Sequence, residues 1–422
     1  MINKLLFAKK RQDRWWRFNT LKAAFCQAQH AGDYALEARV LSKAFSRMGY
    51  KRPPTDIMKL WHELVDVGAT RRAVIAKTDI DRIEVIVEDI DPLILPYLCW
   101  LDLYHLCIGL GLYSPAEIMR NQALSKATAQ AASEGSLSQL YVGFYAEIEV
   151  GHFGSAWKFL QEMRRQGCSD DRLRQAEWLW QVLSQNSEGE IVGYSRSEEP
   201  SNSEFARFIE GRQVALVGPV ASSVDQGAEI DSHDVVVKFS YRGGDKGRDP
   251  VTQGRRLDVS YYNNTQAKAL AEGDFDSVLS SLRWAVCINR KGLGQLPKNQ
   301  ANIRQLASFD WMLPDTHFNA GPNAVLDLLR FNPADIRVFN TDLMLSAGRF
   351  AGYNPAGAKP IDYTRSFIKT HDPILQYRFM ERLWSIGLIH GDARFNEVMA
   401  LGEKKYMNLL QKAHGANTQA LF

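Results

Sequence analysis

The chain of 422 residues carries 51 basic and 48 acidic residues, for a net charge of +3, and 45% of its residues are hydrophobic. Single hydrophobic cores stop growing at roughly 250 to 300 residues, so this length predicts two domains. The near balance of charge argues against a dedicated nucleic-acid-binding protein, whose strongly basic surface drives binding by counterion release, and we expect no nucleic-acid partner.

The cysteines are few and widely spaced, without a CxxC pair, and this pattern predicts reduced thiols in a cytoplasmic protein. They are Cys26, Cys99, Cys107, Cys168 and Cys287. The first apolar run, residues 5–8, is cut off by Lys9 and Lys10, which argues against a secretory signal. The longest apolar stretch, residues 92–112, contains Asp102 and His105, so we expect a buried helix there and no transmembrane segment.

Basic and aromatic residues are concentrated near the start of the chain. They are Lys9, Lys10, Arg11, Arg14, Trp15, Trp16 and Arg17. One interpretation is a peripheral contact with an anionic membrane surface, such as the inner membrane, where aromatic rings settle at the interface. The other is a solvated first helix that packs its tryptophans on the domain.

Residues 1–185 show apolar residues at the three- and four-residue spacing typical of helices, so we expect an all-α domain of helical hairpins. Residues 146–163 resemble one tetratricopeptide-type hairpin, with Gly151 at the turn and Ala156 packed inside. Residues 186–204 are polar and rich in Ser and Glu, which is typical of an exposed linker.

Residues 205–422 alternate short β-branched runs with helical segments, which predicts an open α/β sheet. The expected strands are residues 213–218, 234–239, 257–262, 283–288 and 336–342, and the clearest helices are residues 323–330 and 375–386. Ligands of such sheets usually bind beyond the carboxyl ends of the strands.

Three segments of this domain carry candidate chemistry. In residues 214–240, a strand ends at Gly218 and a small-residue loop follows, in which backbone N–H groups and the hydroxyls of Ser222 and Ser223 can approach a phosphate. Residues 317–342 read as turn, helix and strand, with Pro322 close to the first helical position. In residues 370–392, His371 stands just before a helix with one apolar face.

In this order, the segments resemble the large, small and very small sialyl motifs of the animal-type sialyltransferases. ALVG at residues 215–218 and EIDSHDVV at residues 229–236 match the large motif, and we expect the polar residues 231–234 to shape its turn. The resemblance implies a sialyltransferase-type variant of the Rossmann-like open, mostly parallel sheet. It covers about residues 211–410.

The resemblance also implies a site. His371 is the expected catalytic base, because a neutral imidazole near pH 7 can take a proton from an acceptor hydroxyl. The expected nucleotide-binding residues are Gly218, Ser222, Ser223, Ser240, Asn263, Asn319, Ala320 and Gly321. Arg255 is the candidate for binding a phosphate or carboxylate. The chain departs from the family at Pro219 and Ser240, where the family has asparagine, and at Gln376, where it has a carboxylate.

The implied activity is an inverting transfer of an acidic keto-sugar, sialic acid or Kdo, from a CMP-sugar donor to the hydroxyl of a glycan or glycolipid acceptor. The resemblance implies no cofactor and no metal, because helix N–H groups and basic side chains can hold the leaving phosphate. A bacterial enzyme of surface polysaccharide or lipooligosaccharide synthesis fits this activity. The alternative is a non-catalytic interaction protein, in which a helical partner-binding domain is joined to a decayed transferase domain.

Overall fold

A computed structural model describes residues 9, 11–69, 75–184, 200–244, 248–297, 300–346, 348–350, 352–353, 362–415 and 421–422. The first half of the described chain is helical, and the second half contains an open sheet of seven parallel strands, so the protein has an α/β fold preceded by helices. Most of the expected linker, residues 186–199, lies outside the described residues.

The helical half begins with capped helices, because the carboxylates of Asp13 and Asp33 accept the first free backbone N–H groups. Its helices are α1 (Arg14–Ala28), α2 (Tyr34–Met48), α3 (Thr55–Ala69), α4 (Lys77–Glu88), α5 (Tyr97–Leu110), α6 (Tyr113–Glu134), α7 (Leu137–Glu149), α8 (Phe153–Arg165) and α9 (Asp170–Ser184), with a 3-10 turn at Pro92–Ile94. Helices α7 and α8 pack against each other, with Gly151 at φ 81° between them and Ala156 fully buried, while the tetratricopeptide-type character of this segment stays a prediction.

The sheet has the strand order β5-β4-β3-β2-β1-β6-β7. The strands are β1 (Gln213–Val217), β2 (Val235–Phe239), β3 (Val259–Tyr262), β4 (Trp284–Cys287), β5 (Ile303–Gln305), β6 (Asp335–Phe339) and β7 (His390–Gly391). The chain adds strands outward from β1 to β5 and then returns to the other side of β1 to form β6. The topological switch point therefore lies between β1 and β6, where ligands of open α/β sheets usually bind.

In this half of the chain, helices precede, separate and follow the strands. They are α10 (Pro200–Ile209), α11 (Gly227–Ser232), α12 (Pro250–Gln253), α13 (Asn264–Ala271), α14 (Phe275–Ser281), α15 (Arg290–Leu293), α16 (Ala320–Leu329), α17 (Tyr363–Lys369), α18 (Pro373–Ser385), α19 (Ala393–Met399) and α20 (Glu403–His414), with a 3-10 turn at Asp310–Met312. Helix α10 begins inside the segment that we expected to be the linker. Helix α16 begins at Ala320, three residues before the expected start at residue 323, and Pro322 is its third residue.

The two halves share one hydrophobic core. Helix α17 packs against α5, and α20 packs against α6. Buried side chains of both halves, such as Phe18 of α1 and Ile368 of α17, belong to the same cluster. This continuity fixes the helical half against the last helices of the sheet half.

The basic start of the chain contributes to this core. Arg17 is 1% exposed and pairs with Asp102 at 2.9 Å and with Asp315. Arg14 is also buried, and its Nε donates to the carbonyl oxygen of Lys369 at 3.2 Å. These contacts support the packed first helix over the membrane-facing interpretation. Within the described part of the chain, every helix is too short or too polar to cross a membrane.

Candidate functional site

A cleft of about 500 Å³ opens at the carboxyl ends of the central strands, beside the switch point between β1 and β6. Its walls come from the ends of β1, β2, β3 and β6, from the start of α16, and from the segment around α17 and α18. Segments far apart in the sequence therefore meet in one concave site of the size that small-molecule ligands occupy.

The cleft brings together most of the site residues expected from the sequence. Those that line it are Gly218, Ser240, Asn263, Asn319, Ala320, Gly321 and His371. Ser222, Ser223 and Arg255 are not among the lining residues. The Ser222 hydroxyl instead accepts the backbone N–H of Val224 at 3.1 Å, as a local turn contact.

Gly218 allows the ends of β1 and β6 to approach closely. Its N–H donates to the Phe339 carbonyl at 2.8 Å, and a Cβ at this position would overlap the Asn340 carbonyl and the Thr341 hydroxyl. The glycine is thus required for the switch point itself. Pro219, which follows it, lines the cleft without a backbone N–H to offer a ligand.

Ser240 ends β2 in a left-handed conformation, with φ 55°, and it is 5% exposed. Its N–H donates to the Tyr261 carbonyl at 3.0 Å, which holds the residue in place. Leu343 and Met344, across the cleft, also have positive φ values. Such strained residues are concentrated at binding and active sites.

The start of α16 presents two unpaired backbone N–H groups at the cleft. The first intrahelical bond runs from Asn323 to the Asn319 carbonyl at 3.0 Å, and Pro322 has no N–H. The N–H groups of Ala320 and Gly321 have no acceptor among the described residues, and a Cβ at Gly321 would meet open space. This helix start is therefore a site for an anion, favoured by the helix dipole.

His371 stands half-buried at the same cleft, two residues before α18. Its Nδ1 lies 3.3 Å from the His317 carbonyl oxygen, which can only accept, so Nδ1 carries the proton and Nε2 carries the free lone pair. Burial, with smaller contributions from the charges of His317 and Arg14, lowers the pKa of His371 to about 4, and the bond to the His317 carbonyl only partly opposes this shift. The imidazole is consequently neutral at pH 7 and able to accept a proton.

Gln376 joins the turn before α16 to the helix that follows His371. Its Nε2 donates to the His317 carbonyl at 3.0 Å, and its Oε1 accepts the N–H of Asn319 at 2.9 Å. Only a side chain with both a donor and an acceptor can make this pair of bonds, which explains why an amide occupies this position. Gln376 is completely buried.

The polar residues of the segment 229–236 have a structural role, as we expected. The Asp231 carboxylate accepts the backbone N–H groups of Arg255 and Arg256, each at 2.8 Å. His233 Nδ1 contacts the Glu229 carbonyl at 2.9 Å. Arg255 is thus held by its backbone, and its side chain is exposed away from the cleft, so the structure does not support its expected role at the phosphate.

Two other arginines line the cleft instead. Arg242 donates to the carbonyl oxygens of Gly352 and Tyr353, at 3.0 and 2.9 Å. Arg349 stacks 4.8 Å from the Tyr353 ring, and its Nε donates to the Tyr363 hydroxyl at 3.2 Å. In the described chain no carboxylate pairs with Arg349. The sequence held no signal for Arg349, since it lies outside the three motif segments.

Asn263 caps α13, because its Oδ1 accepts the N–H of Gln266 at 2.9 Å. The Gln266 amide in turn donates to the Tyr353 hydroxyl at 3.1 Å. Part of the polar capacity of Asn263 is therefore used by its own helix. Tyr353 is held at the cleft wall by these contacts.

One group of side chains in the described chain has the spacing of a metal site, namely Asp102, His105 and Asp315. The guanidinium of Arg17 already binds both carboxylates, which supplies the positive charge that a metal would bring. In the cleft, Asp342 is the one carboxylate among the described lining residues, and its Oδ2 accepts the Ser346 N–H at 2.9 Å. Neither place offers an open set of carboxylate ligands.

Comparison with protein-family models and with curated proteins found no match to this chain.

Proposed function

We propose that this chain is an inverting glycosyltransferase that moves an acidic keto-sugar, sialic acid or Kdo, from a CMP-sugar to the hydroxyl of a glycan or glycolipid. The observation that carries the proposal is the meeting of three sequence segments at one cleft. Gly218 and Ser240 of the large motif, Asn319 to Gly321 of the small motif and His371 of the last motif all line it. Resemblance and geometry therefore point to the same place.

The charges of the cleft suit a donor of this kind. A CMP-sugar carries a phosphate, and an acidic keto-sugar adds a carboxylate. The N–H groups of Ala320 and Gly321 and the guanidinium groups of Arg242 and Arg349 offer donors for two anionic groups. In our proposal these donors stabilise the departing phosphate, which is the role that a metal has in other transferases.

The proposed mechanism assigns the proton transfer to His371. The acceptor hydroxyl attacks the anomeric carbon from the face opposite to the phosphate, the bond to CMP breaks, and Nε2 takes the hydroxyl proton. The bond from Nδ1 to the His317 carbonyl keeps the imidazole in the required tautomer. It also stabilises the imidazolium that forms.

The sheet of the second half fits the fold that the proposed activity implies. The order of the strands, with the switch point between β1 and β6, supports a Rossmann-like sheet of the sialyltransferase type. We place the reaction in the synthesis of a bacterial surface polysaccharide or lipooligosaccharide, on the cytoplasmic side of the membrane. The five cysteines, all unpaired, are compatible with a reducing compartment.

Binding of CMP tests the proposal first. CMP should raise the melting temperature of the purified chain, because a ligand that binds only the folded state stabilises it. Gly321→Asp should abolish the shift by placing a negative charge at the anion site. Gly154→Asp is the matched control, since Gly154 is likewise the second residue of its helix, α8, with open space around it.

In the control variant, CMP should raise the melting temperature as much as it does in the unmodified chain. If CMP and CMP-sugars leave the melting temperature of the unmodified chain unchanged, the donor assignment is wrong. That outcome would favour the interaction protein with a decayed transferase domain.

A further inference from the structure

The residue after His371 is anchored in the helical half of the chain. Asp372 caps α18 by accepting the N–H groups of Ile374 and Leu375, at 3.0 and 3.2 Å. The same carboxylate accepts the Tyr104 hydroxyl at 2.9 Å and pairs with Arg120 Nε at 2.6 Å. Asp372 is 1% exposed, and both of its partners are completely buried.

These two partners belong to separate helices of the helical half. Tyr104 lies on α5, and Arg120 lies on α6. Burial and the Asp372 carboxylate raise the pKa of Tyr104 above its ordinary value, so its hydroxyl keeps the proton that it donates. Burial lowers the pKa of Arg120, but Asp372 and Glu149 outweigh that effect and hold the guanidinium in its charged form.

Arg120 is itself held from the other side. Its Nη2 donates to Glu149 Oε2 at 3.0 Å, and Glu149 also pairs with Arg378 of α18 at 2.9 Å. The ion pairs therefore form a closed path from α18 through α7 and α6 back to the start of α18. A path of this kind resists sliding of the helical half over α18, because each buried charge would lose its partner.

We propose that Tyr104 and Arg120 are positioning residues for His371, and hence that one task of the helical half is to hold the base at the cleft. This inference rests on the proposed function. The backbone of His371 is fixed on one side by its N–H bond to the Ser366 carbonyl at 3.0 Å. On the other side it is fixed by Asp372, so a shift of that carboxylate moves the imidazole.

The position of a reacting group affects the rate of the chemical step more than it affects the affinity for the ligand. A displacement of about 1 Å at a reacting group can lower a rate by about 100-fold. The anion donors at the start of α16 do not touch Asp372, so donor affinity should not follow the rate. The inference therefore predicts a loss of kcat at constant CMP affinity.

The test compares two variants that each remove a tyrosine hydroxyl from a buried aspartate. Tyr104→Phe removes the bond to Asp372. Tyr50→Phe removes the 2.6 Å bond to Asp102, which has no contact with His371. We expect kcat for transfer from a CMP-sugar to fall by about 10- to 100-fold in Tyr104→Phe only, with the dissociation constant for CMP unchanged in both.

A second readout does not need activity. In the chain labelled with ¹³C-histidine, the imidazole signals of His371, assigned by their loss in His371→Gln, should shift in Tyr104→Phe and stay in place in Tyr50→Phe. Unchanged His371 signals in Tyr104→Phe would overturn the inference, as would equal losses of kcat in the two variants. If the unmodified chain transfers no sugar, the proposed function fails while the spectra still decide the positioning role.

Discussion

The side-chain oxygen of Gln376 accepts the N–H of Asn319 at 2.9 Å, and this bond joins the helix after His371 to the start of α16. The amide of the same residue donates to the His317 carbonyl, which His371 also contacts. A single buried side chain thus relates the position of the His371 imidazole to the position of the N–H groups at the start of α16.

Gln376→Glu should disrupt this relationship. The new carboxylate would face the His317 carbonyl without a donor, and a buried polar group left unpaired costs about 1 to 3 kcal/mol. We expect a lower melting temperature and weaker CMP binding, measured by thermal unfolding and calorimetry. Gln27→Glu, on the exposed side of α1, is the control. Unchanged CMP affinity in Gln376→Glu would show that the bond does not organise the site.

Ser240→Asn should stabilise the chain, because asparagine tolerates the left-handed conformation at φ 55° better than serine does. Ser240→Gly should remove the same strain without adding an amide. We expect a higher melting temperature in both variants and tighter CMP binding only in Ser240→Asn, whose amide can reach the cleft. Equal CMP affinities in the two variants would exclude a contact between the nucleotide and an amide at this position.

Arg349→Met should weaken CMP binding by about tenfold, since a hydrogen bond to a charged group contributes about 1.5 kcal/mol or more. Methionine retains much of the apolar contact with Tyr353. Arg255→Met is the control, because that side chain is exposed outside the cleft. Calorimetry checks both. A larger loss in Arg255→Met would contradict the placement of the anion site.

The pH dependence of the reaction should reflect the low pKa of His371. The neutral imidazole is the active form, so kcat/KM should fall only as the pH decreases through about 4, the pKa of His371. Between about pH 5 and pH 8 the contribution of this group should be flat. An ordinary histidine would instead give a fall near pH 6.5. A fall near pH 6.5 that disappears in His371→Gln and persists in variants of the other histidines would show that His371 is exposed to water in the functioning chain.

The sequence predicted the central strands well, because strands of a parallel sheet are buried on both faces and appear as continuous apolar runs. β1, β2, β3, β4 and β6 were all expected. β5 was not, because it has only three residues and contains a charge, Arg304. That charge is neutralised by a buried ion pair with Asp327. Because Asp327 belongs to another element, the local sequence around β5 could not predict this pair.

The candidate site was predicted where it follows motif order and missed where it depends on tertiary contacts. Gly218, Ser240 and His371 are expected from their motifs and meet at the cleft. Arg349 reaches the cleft from outside the motif segments. Tyr104 and Asp372 are 268 residues apart, so their bond is visible only in the folded chain.

The most direct test of the central claim is the rate of sugar transfer from a CMP-sugar to a glycan acceptor by the unmodified chain and by His371→Ala. We expect measurable transfer by the unmodified chain, a loss of about 100-fold or more in the variant, and the same CMP affinity in both. His317→Ala is the control, because it removes the neighbouring imidazole and keeps the carbonyl that contacts His371. Equal rates in the unmodified chain and His371→Ala, or no transfer by either, would contradict the account.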